Sequence, residues 1–559
     1  MSRIIARYRL RGASLAAMVG LWLAPFAVSA CHAGDKSAPI RFEGLGPHGR
    51  KVTTSSAEAQ QYFNQGLAFL YAFNHDEAIR AFEHAAKLDP KCAMAYWGIA
   101  FANGPHVNNA AVDDAHSAAA LAAIKKAQEH AQACTPAEQA LIKAVASRYA
   151  DPNPQDRKAL DQAFADAMRE VWKAHPADAD IGSLFCESML NLRPWAYWTE
   201  DQKPQPGTEE VKATLDQVMK ESPNHPLALH LYIHLMEASS EPGAADEAAN
   251  RLRDLAPGLG HLVHMPSHID LRRGRWQEAV VANIKAIKTD DEYFRKVPKQ
   301  GFYHIYMSHN RHMLAFAALM QGQSELATRS IREMLDRIPK EWIQGNAAMI
   351  DYMFTAPYEM HVRFGRWDAM LAEPAPLETM PISQTIWHHA RAISHNAKGN
   401  MAEAKAEQAK FLEAKAKVKP DAKFGNNTAK DVLAIAELML SGEILYREGK
   451  VDEAVDSLTK AIAIEDQLRY DEPPDWLIPV RHTLGATLID AKRYADAEKV
   501  YLADLKRHPE NGWSLYGLAA SYKGQGKISE ATDAKARFEK IWQHADFQLT
   551  SSCLCLPEK

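Results

Sequence analysis

Nine of the chain's 24 histidines lie between His225 and His312, about a sixth of its length, where roughly four would fall by chance. Imidazole nitrogen with a carboxylate beside it is a ligand set for zinc, iron, copper or nickel. His230 and His234 are four residues apart and Glu237 is three further on, so on a helix they share one face. His309 and His312 share a face in the same way. Pro266 suits the first turn of a helix, which would leave His264 ahead of that helix and His268 inside it. His230, His234, Glu237, His261, His264, His268, His309 and His312 are therefore the candidate ligands of a divalent transition metal (zinc, iron or copper). A catalytic zinc takes three such ligands and keeps one position open. Tyr232, His304, Asn310 and Asp270 are candidates for the layer that orients them. Glu359 holds the place in its own segment that His268 holds in its segment.

Other residues suit an organic ligand. His106 follows Gly104-Pro105, and Arg193, Trp195 and Trp198 sit in one aromatic cluster. Indoles line pockets, and Arg193 can hold a carboxylate. For an enzyme, a metal-dependent hydrolase or oxidase, Glu237 or Glu187 is the candidate general base. Three plainer readings compete. Groove histidines can bind an anionic ligand without metal, titrate near neutral pH, or pack with their hydrogen bonds satisfied. No HExxH, GxSxG, P-loop or GxGxxG motif decides among them. With 65 Lys+Arg against 70 Asp+Glu, net −5, the chain lacks the basic excess of a nucleic-acid binder. Six cysteines in 559 residues are not a disulfide framework. Cys92, Cys134 and Cys186 fall in helical contexts and read as buried thiols. Cys553 and Cys555, in a polar tail, are free to pair.

The elements that carry these residues repeat. In 59–92, Gly66, Phe69, Ala78, Phe82, Ala85 and Pro90 alternate small and large residues at helical spacing. The small ones let two helices approach, the large ones fill the seam, and the proline ends the second helix. The spacing recurs in 435–468 (Gly442, Leu445, Ala454, Leu458), in 478–511 (Gly485, Leu488, Ala497, Tyr501, Pro509) and in 512–545 (Leu518, Tyr522, Gly526, Ala531). Weaker units begin near 229, 260, 308 and 385, and Pro266 through Trp276 is echoed by Pro357 through Trp367. The pattern resembles the tetratricopeptide repeat (TPR), a helix–turn–helix of about 34 residues. The expected fold is all-α, a TPR-type helix-turn-helix solenoid forming a right-handed superhelix. The resemblance implies that the first helix of each unit lines a concave groove. Three successive units would then aim His230, His234 and Glu237, then His261, His264 and His268, then His309 and His312, into that groove. The phrases His225 to Glu237, Gly260 to His268 and Ser308 to Asn310 also resemble a group of exported bacterial TPR proteins, over most of 58–345. A looser similarity is to tetratricopeptide repeat protein 38 of vertebrates. These resemblances imply fold and export, and no activity.

Arg3, Arg7, Arg9 and Arg11 precede an apolar run from Ala13 to Val28 that is too short for a stable membrane span. Residues 1–30 therefore read as a signal peptide. Val28-Ser29-Ala30-Cys31 resembles a lipobox, which would give a lipid anchor at Cys31; ordinary cleavage after Ala30 or Ala33 is the alternative. Removing the signal takes four arginines and no acid, moving the net charge from −5 to −9. The expected location is the periplasm, an outer-membrane lipoprotein, or the medium. The expected layout is a linker at 31–57, an N-terminal array with the His-rich groove at 58–345, degenerate units at 346–430, a C-terminal array at 431–546 and a tail at 547–559. The first functional expectation is a solenoid that binds a protein, a peptide or a small molecule in its groove, with or without a transition metal. A metal-dependent enzyme and a passive assembly scaffold are the alternatives.

Overall fold

The computed structural model describes residues 40–556 apart from 200, 300 and 339; the signal peptide and Cys31 lie outside the described residues. Helices Ala57–Tyr71 and His75–Leu88 pack as a pair joined by a three-residue turn. Ser56 and Asn74 cap them, their side-chain oxygens accepting from the Ala59 and Glu77 N–H groups, which satisfies donors that the helix itself leaves free. Phe82 lies between Gly66 and Gly98, and a Cβ at either glycine would stand 2.7 Å from its ring. Tyr501 sits likewise between Gly485 and Gly517, where a Cβ would come within 2.3 and 2.1 Å. Leu458 packs on Gly442, where the distance would be 2.8 Å. One rule of side-chain volume thus builds both ends of the chain. The result is an all-α helix–turn–helix solenoid. The strands among the described residues are the two-residue pair Lys423–Phe424 and Asn427–Thr428. No described helix is long and apolar enough to cross a membrane.

The helices are shortened where the histidines cluster. Gly260–His264 and Pro266–Arg272 are separate short helices. His264 therefore closes one helix and stands ahead of the next, in whose first turn Pro266 sits with His268 inside it, as the spacing leads one to expect. Proline lacks an N–H and crowds the carbonyl four residues back. Met265 nevertheless keeps helical angles, φ −49° and ψ −39°, so the chain direction carries through the break. The ring centroids of His261 and His264 then lie 5.8 Å apart, and those of His264 and His268 4.7 Å apart.

Two segments outside the repeats hold the array together. Residues 40–56 fall in the stretch expected as a linker, yet they form an arm laid across the N-terminal helices. The Gln65 amide bonds both the Ile40 carbonyl (2.9 Å) and the Phe42 N–H (3.1 Å). Gly258 N–H donates to the Gly44 carbonyl at 2.8 Å. Arg50 reaches Asp178 at 2.8 Å and Asp180 at 3.0 Å. At the other end, the C-terminal array folds back on the centre. Trp276 donates to the Pro509 carbonyl (3.0 Å) and Trp513 to the Leu319 carbonyl (2.8 Å). The stretch expected as a tail also packs: Leu549, Ser552 and Cys555 are buried. Cys553 and Cys555 are joined in a disulfide, and Cys92, Cys134 and Cys186 are buried free thiols.

The arm ends in a knot around Asp180. Its Oδ1 accepts from Tyr71 (2.6 Å), His48 (2.9 Å) and His225 (3.0 Å), and its Oδ2 from Arg50. Burial alone would raise this carboxyl, but the hydrogen bonds from His225 and His48 hold it well below the usual range. A depressed folded-state value gives stability that is present above the unfolded value, near 4, and is lost as pH falls through the folded value. Asp180→Asn is therefore expected to unfold at lower denaturant at pH 7. It should also lose less than the parent between pH 4 and pH 2 in chemical-denaturation curves; an unchanged acid slope would refute the assignment.

Candidate metal centre

His225 caps helix Pro226–Met236, its ring accepting from the Ala228 N–H, and Pro226 occupies the first turn. That helix carries His230 and His234 one turn apart, and Glu237 follows at its end. Helix Gly260–His264 brings His261 against them. The His230 and His261 Nε2 atoms face each other at 3.1 Å, and ligand atoms of His230, His234 and His261 all lie within 4.8 Å of one another. His230 Nδ1 donates to the Tyr71 carbonyl at 2.8 Å, and His234 Nδ1 to Glu237 Oε1 at 3.1 Å. Each bond puts the proton on Nδ1 and leaves the Nε2 lone pair directed inward, as metal-binding histidines require. His234 Nε2 and His261 Nδ1 are buried and have no hydrogen-bond partner.

A second triad lies beside the first. His264, His268 and His309 also offer ligand atoms within 4.8 Å of one another, with His264 Nε2 and His268 Nε2 at 2.8 Å. His264 Nδ1 donates to Asn283 Oδ1 at 2.7 Å, and the Asn283 amide nitrogen donates to the Ala279 carbonyl. His268 Nδ1 donates to Glu472 Oε2 at 2.6 Å and stands 3.0 Å from Glu237 Oε2. Glu237 thus serves both triads, one oxygen to each. The rings of His234 and His268 are 5.9 Å apart.

His230, His234, His261, His264 and His268 are each at most 2% exposed. Burial, and then the neighbouring imidazoles, push His230, His261, His264 and His309 well below the ordinary histidine value. These rings are neutral at pH 7, so their lone pairs are available to a cation and they do not attract an anion. For His268 burial also disfavours charge, but Glu237 and Glu472 outweigh it and push the ring up to about 10. Burial would raise Glu237 too, and the facing His268 and His234 bring it below its usual range.

The remaining candidates scatter. His312 is half-buried and belongs to neither triad, its Nε2 buried and unpartnered and its ring lowered by burial to about 4. Tyr232 lies under Lys212, 5.7 Å from its ammonium, outside either triad. His304 rests on Phe294. Asn310 donates to Asp290, which also accepts from Tyr303, whose hydroxyl in turn accepts the His261 N–H at 3.3 Å; it braces the first triad from behind. Asp270 is clamped by Arg253 and Arg275. Arg193 donates to the Pro206 carbonyl and so ties its own loop. Trp195 sets its edge against His234 at 5.5 Å. His106 stacks on Phe73 at 4.7 Å, and Phe73 in turn lies 4.4 Å from His230. Phe73 and Trp195 both hold positive φ, 55° and 62°, a costly conformation for bulky residues that gathers where function needs it. Glu187 is fully buried with one oxygen unpartnered, and burial pushes it up to about 7. It lies within electrostatic reach of Tyr197 and Tyr306, and the Tyr306 ring is 4.3 Å from His261. Glu359 belongs to a different cavity. Asn283, Glu472 and the Tyr71 carbonyl, which accept the His264, His268 and His230 Nδ1 protons, carry no motif or spacing in the sequence that marks them. The third histidine group, His48, Asp180 and His225, is the knot described above, with its carboxylate already engaged by four donors.

Residues 59–92 match the family model for the tetratricopeptide repeat. The chain is similar to the human IFIT1 dimer with PPP-AAAA, at 14% identity, 87% of this chain, 91% of that chain and a TM-score of 0.31. It is similar to the APC/C hetero-tetramer Cut9-Hcn1, at 12% identity, 90% and 76% coverage and a TM-score of 0.29. It is also similar to the P58(IPK) TPR domain, at 13% identity, 87% and 96% coverage and a TM-score of 0.19. Likenesses of this size carry no argument about ligands. No curated protein matches the sequence.

Proposed function

We propose that the chain, which is a tetratricopeptide-repeat protein and so a scaffold suited to protein or ligand binding, holds two transition-metal ions side by side in its histidine groove. One observation carries the reading: two sets of three mutually facing imidazoles, all buried except the half-buried His309, in which His230, His234, His264 and His268 have their outer nitrogens fixed by acceptors. In the first triad the buried His234 Nε2 and His261 Nδ1 have no partners, at a cost of about 1–3 kcal/mol each. A cation at the first triad would satisfy them, and one at the second would take the place of the His268 Nε2 proton that lies between His264 and His268. Three nitrogen ligands and no thiolate suit zinc, copper or iron, and three ligands leave a position open for a further ligand. The partner expected for the scaffold is a protein, a peptide or a small molecule, and not nucleic acid, because the chain is net acidic.

A second reading, a metal-dependent hydrolase or oxidase, rests on Glu187. A carboxyl at about 7 within electrostatic reach of Tyr306, whose ring packs on His261, is tuned for proton transfer at neutral pH. Bound metal would supply Lewis acidity or redox capacity. Glu187 would hold or release the proton, with the Tyr197 and Tyr306 hydroxyls nearby. Export, read from residues 1–30, would place this centre outside the cytoplasm, with Cys31 as its lipid anchor if it is acylated.

Elemental analysis of the metal-loaded full chain tests the first reading. Two ions per chain are expected for the parent, one each for His230→Ala and His264→Ala, and none for the double variant. A parent that stays free of stoichiometric metal, with unchanged unfolding in the double variant, refutes it.

A further inference from the structure

The C-terminal array contains a separate group of ligating atoms. Helices Ala356–Arg363, Pro381–Ala397, Ala429–Arg447 and Val480–Asp490 surround a cavity of about 20 Å³, room for one water or one ion. Glu359, Arg363, His389, Glu443, Trp476 and Cys553 line it. The first five are each at most 6% exposed. Each has a polar atom with no hydrogen-bond partner: Glu359 Oε1, Arg363 Nε, His389 Nδ1, Glu443 Oε2 and Trp476 Nε1. Buried groups in folded proteins are normally paired; Arg363 Nε and Trp476 Nε1 are donors, and the three atoms that can meet a cation are Glu359 Oε1, His389 Nδ1 and Glu443 Oε2.

The lid of this cavity is the segment Cys553-Leu554-Cys555. A Glu443 oxygen and the two sulfurs lie within 4.8 Å of one another. The lid is held by bonds that do not involve the disulfide. Ser552 Oγ donates to the His482 carbonyl at 2.9 Å and meets the Tyr501 hydroxyl at 2.6 Å, and Arg363 donates to the Ser552 carbonyl at 3.3 Å. Opening the disulfide therefore leaves both sulfurs facing Glu443. Two cysteines separated by one residue can grip one ion, and thiolate selects soft or borderline metals.

We propose that Cys553, Cys555 and Glu443 form a redox-gated site for one divalent zinc-like ion, closed while the cysteines are joined and open once they are reduced. The reductant is a dithiol. Its two electrons and two protons convert the Cys553–Cys555 bond into two thiols while its own sulfurs become a disulfide. Metal binding then releases both thiol protons to solvent. This site is independent of the histidine triads, and one clean difference separates the two in experiment: imidazole gives no thiolate-to-cadmium charge-transfer band.

The test is cadmium titration of the full chain, followed in the near ultraviolet, with a phosphine in place of the dithiol so that the reductant does not bind the metal. The reduced protein should take up one ion with a band of two-thiolate intensity, and the oxidised protein should show none. The band should persist in the His230→Ala/His264→Ala chain and vanish in Cys553→Ser/Cys555→Ser. Glu443→Gln, which keeps the side-chain shape, should weaken cadmium binding about tenfold or more. Absence of the band in reduced protein, its survival in the double serine variant, or unchanged affinity in Glu443→Gln would overturn the proposal.

Discussion

Glu237→Gln is expected to weaken metal binding at both histidine triads about 10- to 100-fold, although its carboxylate belongs to neither set of three. Glu237 Oε1 fixes the His234 proton and Glu237 Oε2 faces His268. An amide keeps the volume but can offer only one acceptor oxygen. It cannot serve both rings, and it removes the negative charge that raises ligand basicity. The metal-free protein should suffer as well. His268 carries its proton because Glu237 and Glu472 surround it, and removing one partner of a buried pair costs about 3–5 kcal/mol. Glu472 remains, so a loss at the lower end of that range is expected. Competition titration with a chromophoric chelator reads the affinities, and denaturant unfolding of the apo chain reads the stability. A variant that lost affinity at one triad only would show that the two sets are not joined through this carboxylate.

Phe82→Ala should be the most damaging single change in the N-terminal array, at about 3–5 kcal/mol. The ring is fully buried between Gly66 and Gly98, so truncation empties a slot that two helix backbones have shaped. The complementary changes act by crowding. At Gly66→Ala or Gly98→Ala the new Cβ would stand 2.7 Å from the ring, an overpacking worth about 1–3 kcal/mol. Combining Gly98→Ala with Phe82→Leu should cost less than the two separate losses added together, because the smaller side chain gives the new methyl room. In a repeat array the damage stays local, since each unit leans mainly on its neighbours. Amide exchange should therefore accelerate over 57–102 before it changes near Tyr501, whose slot between Gly485 and Gly517 is intact. Uniform loss across the chain would mean that this packing is not modular.

Some of the centre is legible in residue order. His230, His234 and Glu237 advertise themselves by spacing alone, and the repeat register brings His261, His264, His268 and His309 toward the same groove. The division into two triads is not legible, because it depends on the broken helix at Met265, where Pro266 interrupts the bonding without turning the chain. Tyr232 and His304 failed as neighbours for a related reason. A helix in a solenoid is buried on several sides, and spacing does not say which side faces the groove.

Residue order was enough for the helix pairs, since Gly66 against Phe82 and Gly485 against Tyr501 are contacts made within one unit, where helical periodicity sets the geometry. It was also enough to single out most of the imidazoles that the structure gathers. Only the closed tertiary structure chose the nitrogen. Tyr71, 159 residues from His230, and Glu472, 204 residues from His268, accept the Nδ1 protons that turn Nε2 inward. A backbone carbonyl has no residue signature, and a carboxylate two hundred residues away has no spacing. Those acceptors reach the groove because the N-terminal pair packs against helix Pro226–Met236 and the C-terminal array folds back onto the centre, arrangements fixed by volume and burial between distant units.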